Sequence, residues 1–370
     1  MKNILLKTLV LAISFTGFSQ SYQFTTQIDL DATNVISQGR TGTCWSFSAS
    51  SFLESEIIRL TGKQIDISEM YNVRHTYPKK AQNYVMRQGK AQFSEGGLAH
   101  DVMNSVADFG LVPNSVYNGL NGEASSHDHA EMINVLTSMM ESYAKQRKLS
   151  KNWEAAVASV LDVYLGKPVK TFNYEGKNYT PKSFMEYASI KPENYVSITS
   201  FNHQPFYSNF VLNIPDNFSN GSFYNVPINE LEDIVIHALE NGYTVELDCD
   251  VSEKTFSAKN GVAVIPNNSE DNSIALNEVK PEKEITQDYR QQEFENFNTT
   301  DDHLMHITGL LKDQNGTIYY KVKNSWGTNP ERVANGGYVY MSSAYFKLKT
   351  ISVLLHKDAI KSAVVKKLNL

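Results

Sequence analysis

The sequence predicts an α+β fold, with a helical first half and a β-rich second half. Three observations carry this. Apolar residues recur at helical spacing after residue 44 and again between 98 and 109. Residues 125–165 are rich in Ala, Met, Lys and Leu and read as helical throughout. Beyond residue 240 the pattern changes to short alternating runs separated by turn residues. The chain has 370 residues, 41% hydrophobic and 20% charged. That length supports a large core without disulfide or metal staples.

The elements follow in order. Met1–Gln20 carries Lys2 and Lys7, an apolar run from Thr8 to Phe18, and then small residues, which reads as a signal peptide at 1–20. The run is too short to span a membrane. Residues 21–37 read as extended, and Gln38–Thr43 as a glycine-bearing loop. Phe47, Phe52, Leu53, Ile57 and Leu60 mark a helix that Thr61-Gly62 closes. A short helix begins at Ile67, and Leu98–Phe109 forms another that Gly110 stops. The helical lobe is placed at about 21–200, with a helical insertion at about 125–195. The β-rich lobe, about 200–350, opens with an amphipathic helix at Leu231–Glu240 and a strand at 243–249. Residues 268–300 are polar and acidic and read as a surface excursion. Leu304–Lys312 and Thr317–Lys323 flank Asn315-Gly316, a strong hairpin signal. A strand at Gly337–Met341 and a C-terminal helix at about 357–370 complete the chain.

The balance of charge and sulfur narrows the function. The net charge is −6, and the expected leader contributes none of the acids, so nucleic acid is not an expected partner. No later apolar stretch reaches the length of a membrane span, so an integral membrane protein is not expected either. There are two cysteines. Cys249 ends an apolar run and reads as core. Cys44, in Gly-Thr-Cys-Trp-Ser, opens a helix, where the partial positive charge of the helix end favours a thiolate.

A cysteine nucleophile needs a base, a group that orients the base, and donors for the developing oxyanion. Gln38, six residues before Cys44, and the Cys44 N–H are candidate donors. His303 begins one hairpin strand and Asn324 ends the other. A two-residue Asn-Gly turn pairs Asn324 with Ile307, on the face of His303 and opposite to that of His306. A bulge is then needed to bring the two side chains together. His306 reads as a surface or supporting residue. His127 and His129 read as solvated loop. Neither histidine pair has the companions of a metal site, so no metal and no cofactor are expected.

Gln38-x5-Cys44-Trp45-Ser46, then His303, then Asn324-Ser325-Trp326-Gly327, resembles the papain superfamily in order and spacing. The resemblance implies a two-lobed papain-like fold with the active-site cleft between the lobes, Cys44 as nucleophile, His303 as general base and acid, Asn324 as the group orienting it, and Gln38 at the oxyanion. Trp326 would shield the His–Asn hydrogen bond, and Asp302 matches an acidic neighbour of the histidine. Trp45 belongs to the nucleophile motif, and Gly96-Gly97 matches the segment that pairs with extended substrate. His303-Leu-Met-x-Ile-x-Gly309 and Cys249-Asp-Val are most similar to the bleomycin hydrolase and aminopeptidase C branch. That branch implies an aminopeptidase acting on peptides or unfolded protein, with an oligomer open. Its members place their own C-terminal arm in the cleft; here the chain runs only from Asn324 to Leu370, and most of that arm is expected to be missing. Export to the periplasm or beyond also departs from the branch. An endopeptidase with an open cleft, an acyltransferase and a non-catalytic binding protein are the alternatives.

Overall fold

The computed structural model describes residues 21–122 and 124–370. The expected leader lies outside them. The fold is α+β, built around an 11-stranded mixed sheet and a helical layer. The sheet runs Asn209–Val211, Ser222–Asn225, Tyr195–Thr199, Thr350–His356, Val245–Cys249, His303–Lys312, Ile318–Lys323, Tyr338–Ser342, Val262–Ala263 and Phe256–Ser257. Thr25–Asp29 adds antiparallel to His303–Lys312. The lobes therefore exchange segments. Thr25–Asp29 and Tyr195–Thr199 fall inside the expected helical lobe but pair in the sheet.

The helix Cys44–Thr61 joins the two layers. Gly62 ends it at φ 71°, and its N–H returns to the Ile58 carbonyl. That left-handed conformation suits a residue without Cβ. Fourteen residues of this helix are buried. A helix covered on every side needs no polar face, but each polar side chain within it must find a partner. Ser48 Oγ donates to the Met305 carbonyl at 2.6 Å, and Ser51 Oγ meets His306 Nδ1 at 2.9 Å. These contacts fasten the helix to the histidine strand.

Two cores result. Trp45, Phe52, Ile57, Val73, Tyr77, Met132 and Phe184 fill the helical side. Leu231, Val245, Leu247, Cys249, Ile307, Val322 and Phe346 fill the sheet side. Cys249 is fully buried there, as expected for core.

Several elements differ from their expected form. The helix expected to be short at Ile67 spans Glu69–Met86, with Pro78 inside it. Ser68 caps it by accepting the Tyr71 N–H. The region expected to be continuously helical breaks into Ala130–Ala144 and Trp153–Leu165, followed by a small hairpin and Pro181–Tyr187. The polar excursion at 268–300 holds the helix Gln287–Glu295, whose Arg290 is fully buried and donates to the carbonyls of Ser200 and Lys347. The C-terminal helix is only Ser362–Leu368, after a 3-10 turn at Lys357–Ala359. Leu368 and Leu370 pack on the sheet core, and Lys367 bonds Tyr207 and Glu230.

Candidate active site

Cys44 is the first residue of its helix, so its N–H lies ahead of any intrahelical acceptor. His303 is the first residue of its strand and pairs in register with Cys249. Asn324 follows the last residue of Ile318–Lys323. His303 Nε2 and Asn324 Oδ1 are 2.8 Å apart. With the amide oxygen as acceptor, Nε2 carries the proton and Nδ1 keeps a free lone pair.

The hairpin reaches this geometry by a different route from the expected one. Lys312 pairs with Ile318, so five residues form the turn, organised by Asp313, which accepts the N–H groups of Asn315 and Thr317. A bulge lies between Ile307 and Gly309. His306 then pairs with Lys323, and one further step sets Asn324 across from Met305, on the His303 face. The longer turn and the bulge each shift the register, and together they keep the face that a two-residue turn without a bulge also predicts. Gly309 is required where the strand crosses Thr25–Asp29, because a Cβ there would lie 2.2 Å from the Ile28 carbonyl oxygen.

Gln38 is 8% exposed and locked in place. Its Oε1 accepts from Ser325 Oγ at 2.5 Å, and its Nε2 donates to the Thr41 carbonyl at 2.7 Å. One Nε2 proton remains for an incoming oxyanion. Trp326 stacks obliquely on His303, with ring centroids 4.9 Å apart, and so covers the imidazole. Trp45 is fully buried and donates from Nε1 to the Glu95 carbonyl. A Cβ on Gly97 would press within 3.1 Å of the Trp45 ring, and a Cβ on Gly96 would overlap the Asp216 carboxylate. Asp302 accepts the Val251 N–H at 2.9 Å.

The electrostatics correct one sequence argument. The helix end alone favours a thiolate, yet burial pushes the Cys44 thiol up to about 12, with Asp301, Asp216 and Asp248 adding to the rise. The Leu304 backbone N–H, adjacent to His303, partly offsets this. Burial likewise pushes His303 down to about 4, opposed by its hydrogen bond to Asn324. Each group alone is therefore held neutral. A proton passed from sulfur to imidazole charges both at once, and each new charge compensates the other.

Behind Asn324 lies a cavity of about 340 Å³. Glu54, Glu69, Lys323, His306 and Ser51 line it. His306, expected as a surface or supporting residue, is fully buried in a supporting position, and burial holds it neutral. Lys323 Nζ donates to Ser51 Oγ and Thr33 Oγ1. Oxygens of Glu54, Asp66 and Glu69 approach within 4.8 Å of one another, and Lys323 supplies positive charge to Glu54 and Glu69. Glu54, Glu69 and Lys323 are buried and Asp66 is exposed; burial raises the Glu54 carboxyl to about 7 and the Glu69 carboxyl well above its ordinary range, so the cluster reads as a polar network joining the lobes. Sequence reasoning missed it, and missed Ser325, Asp216, Asp248 and Asp301. Three charged residues inside buried helices and strands (Glu54, Glu246 and Asp248) were the available signal.

A family model described as Peptidase C1-like family matches residues 7–370. Aminopeptidase C of Listeria monocytogenes is 24% identical, over 90% of this chain and 82% of its own length. Aminopeptidase G of Lactobacillus delbrueckii subsp. lactis is 24% identical over 90% and 83%. The mitochondrial cysteine proteinase 1 of Saccharomyces cerevisiae is 24% identical over 88% and 74%. The crystal structure of PepW from Lactobacillus rhamnosis HN001 superposes with a TM-score of 0.75 at 19% identity, over 93% of this chain and 84% of that one. It shows the same fold.

Proposed function

The chain belongs to the Peptidase C1-like family, and from that premise we propose that it is an aminopeptidase that cleaves peptides through a thioester on Cys44. As a cysteine-type peptidase it needs a nucleophile, a base and an oxyanion site. The observation that carries the assignment is the His303 Nε2–Asn324 Oδ1 hydrogen bond at 2.8 Å. It leaves Nδ1 as proton acceptor, in a strand whose next N–H faces the Cys44 sulfur.

The Cys44 proton moves to His303 Nδ1 as the sulfur attacks the peptide carbonyl. The Cys44 N–H and Gln38 Nε2 stabilise the oxyanion. The imidazolium returns its proton to the departing amine, leaving a thioester. His303 then takes a proton from water, hydroxide adds to the thioester, and the carboxylate product departs as the thiol is restored. Aminopeptidase action is supported by the names of the relatives.

An epoxysuccinyl inhibitor should form an adduct on Cys44 in the reduced protein, and its absence there would end the assignment. A free-amine peptide should be cleaved faster than its N-acetyl twin. Equal cleavage would favour an endopeptidase. The pattern of Met1–Gln20 supports action outside the cytoplasm, and a periplasmic or secreted product whose N-terminus begins near Ser21 would bear it out.

A further inference from the structure

The loop from Gln38 to Cys44 carries both candidate oxyanion donors, and its own bonds brace it. Gln38 Nε2 donates to the Thr41 carbonyl, and Thr41 Oγ1 donates back to the Gln38 carbonyl. Three anchors from outside fix where the loop sits. The Gln38 N–H donates to the Ser325 carbonyl at 2.9 Å. Arg40 pairs with the segment 127–129, donating to the His127 carbonyl and accepting the His129 N–H. Gly42 donates its N–H to Glu95 Oε2 at 2.6 Å.

The third anchor reaches the loop two residues before the nucleophile. The backbone carbonyl of the same glutamate accepts Trp45 Nε1 at 3.0 Å, one residue after it. Glu95 therefore holds the chain on both sides of Cys44, and it leads directly into Gly96-Gly97. The approach is close. A Cβ on Gly42 would lie 2.9 Å from Glu95 Cβ, so a side chain there would displace the glutamate. Burial raises the Glu95 carboxyl, and the Gly42 N–H opposes the rise. His129 backs this carboxyl. Expected in a solvated loop, it is 4% exposed, with Nδ1 3.7 Å from Glu95 Oε2 and no hydrogen-bond partner on either ring nitrogen. Burial pushes its imidazole down to about 4, with His127 adding to the fall. A neutral ring does not draw the carboxyl away from Gly42.

We propose that Glu95 is a positioning residue for the oxyanion site: by holding Gly42, it fixes the loop that presents Gln38 Nε2 and the Cys44 N–H to the attacked carbonyl. This rests on the reading of Cys44 as a peptidase nucleophile. Glu95 acts through the backbone and not on the reacting atoms. Its effect falls on states that carry negative charge on oxygen, because these need both donors aligned and the bound substrate does not.

Two reactions at Cys44 separate this role from a general brace. A peptide aldehyde adds its carbonyl carbon to the sulfur, the thiol proton passes to the aldehyde oxygen, and that oxygen is presented to the same donors. Iodoacetamide alkylates the same sulfur with loss of iodide and develops no oxyanion. Aldehyde affinity should fall about 10–100-fold in Glu95→Ala, and independently in Gly42→Ala, while the iodoacetamide rate stays within about threefold. For an amide substrate, kcat should fall by a similar factor with KM held within about threefold. Glu95→Gln keeps an oxygen for Gly42 and should keep aldehyde affinity within about threefold. Unchanged aldehyde affinity in both alanine variants overturns the proposal. Parallel loss in both reactions also overturns it, as does a glutamine variant impaired as much as the alanine one. Failure of both probes to react with the unaltered protein removes the peptidase reading and the positioning role together.

Discussion

His303 and His306 stand three residues apart on one strand; both are buried, and burial holds both imidazoles neutral. Their surroundings separate them. His303 has an amide on Nε2, an indole over its ring, and Cys44 near the adjoining backbone. His306 has Ser51 on Nδ1, the Phe52 ring at its edge, and Lys323 close by. One neighbourhood leaves the Nδ1 lone pair of His303 free, next to the Leu304 N–H that bonds Cys44. The other closes a buried network around the joint between lobes. Burial and a depressed pKa are therefore shared by the proposed base and a structural bolt, and the partner on each ring nitrogen tells them apart.

Replacing each histidine should give opposite signatures. His303→Ala should lower kcat by at least about 1000-fold, with little change in denaturation midpoint. His306→Ala should keep kcat within about tenfold while costing about 1–3 kcal/mol in urea unfolding, because Ser51 loses its partner and a cavity opens. If kcat collapses in both, the two neighbourhoods are not separate. Lys323→Met probes the bolt from its charged end. It takes the donor from Ser51 and Thr33 beside two carboxyls that burial already raises, and should cost about 1–3 kcal/mol. A loss above about 4 kcal/mol would mean that the glutamates are ionised in the fold and need the cation.

Glu246 extends the comparison to the neighbouring strand, where its carboxyl meets Ser48 Oγ of the Cys44 helix at 2.9 Å; the Ser48 proton goes to the Met305 carbonyl, so a protonated Glu246 is the donor. Burial pushes its carboxyl up to about 8. In the unfolded chain it ionises near its ordinary value of 4.5, while in the fold it stays protonated up to about 8. Between those values the folded state binds more protons, and so stability declines as pH rises. Glu246→Gln removes that loss. Relative to the unaltered protein, the variant should gain stability steadily from about pH 4.5 to 8, by at most about 1.4 kcal/mol per pH unit. Parallel stability curves would show that Glu246 is not protonated in the fold.

The two neighbourhoods were unequally legible in the sequence. Cys44, His303, Asn324 and Gln38 are rare residue types in a fixed order, and the structure brings His303 and Asn324 into contact and sets Gln38 against Ser325. The His306 network was not legible. Glu54, Glu69 and Lys323 look like ordinary surface charges until the two layers close over them. The hairpin shows the same limit at finer scale. Asn315-Gly316 marked the turn, but its length depended on Asp313, whose side chain accepts two backbone N–H groups. The acids near Cys44 come from segments 216, 248 and 301, and only the sheet topology assembles them.

The smallest expected effect concerns the amide that distinguishes His303 from His306. With His303 held down to about 4, its imidazole stays a competent base through the mildly acidic range and fails only as protonation takes Nδ1. For a neutral N-acetyl substrate, kcat/KM should therefore fall as pH drops through about 4. Asn324→Asp places a carboxylate where the amide oxygen now accepts from Nε2. An anion there stabilises the imidazolium, and so the acid limb should move upward by roughly 1–3 units while the plateau changes less. His306, on the opposite face and without that carboxylate, should not respond. An acid limb that stays near 4 in the variant would mean that the new acid is itself protonated, and that position 324 steers the ring by hydrogen bonding alone.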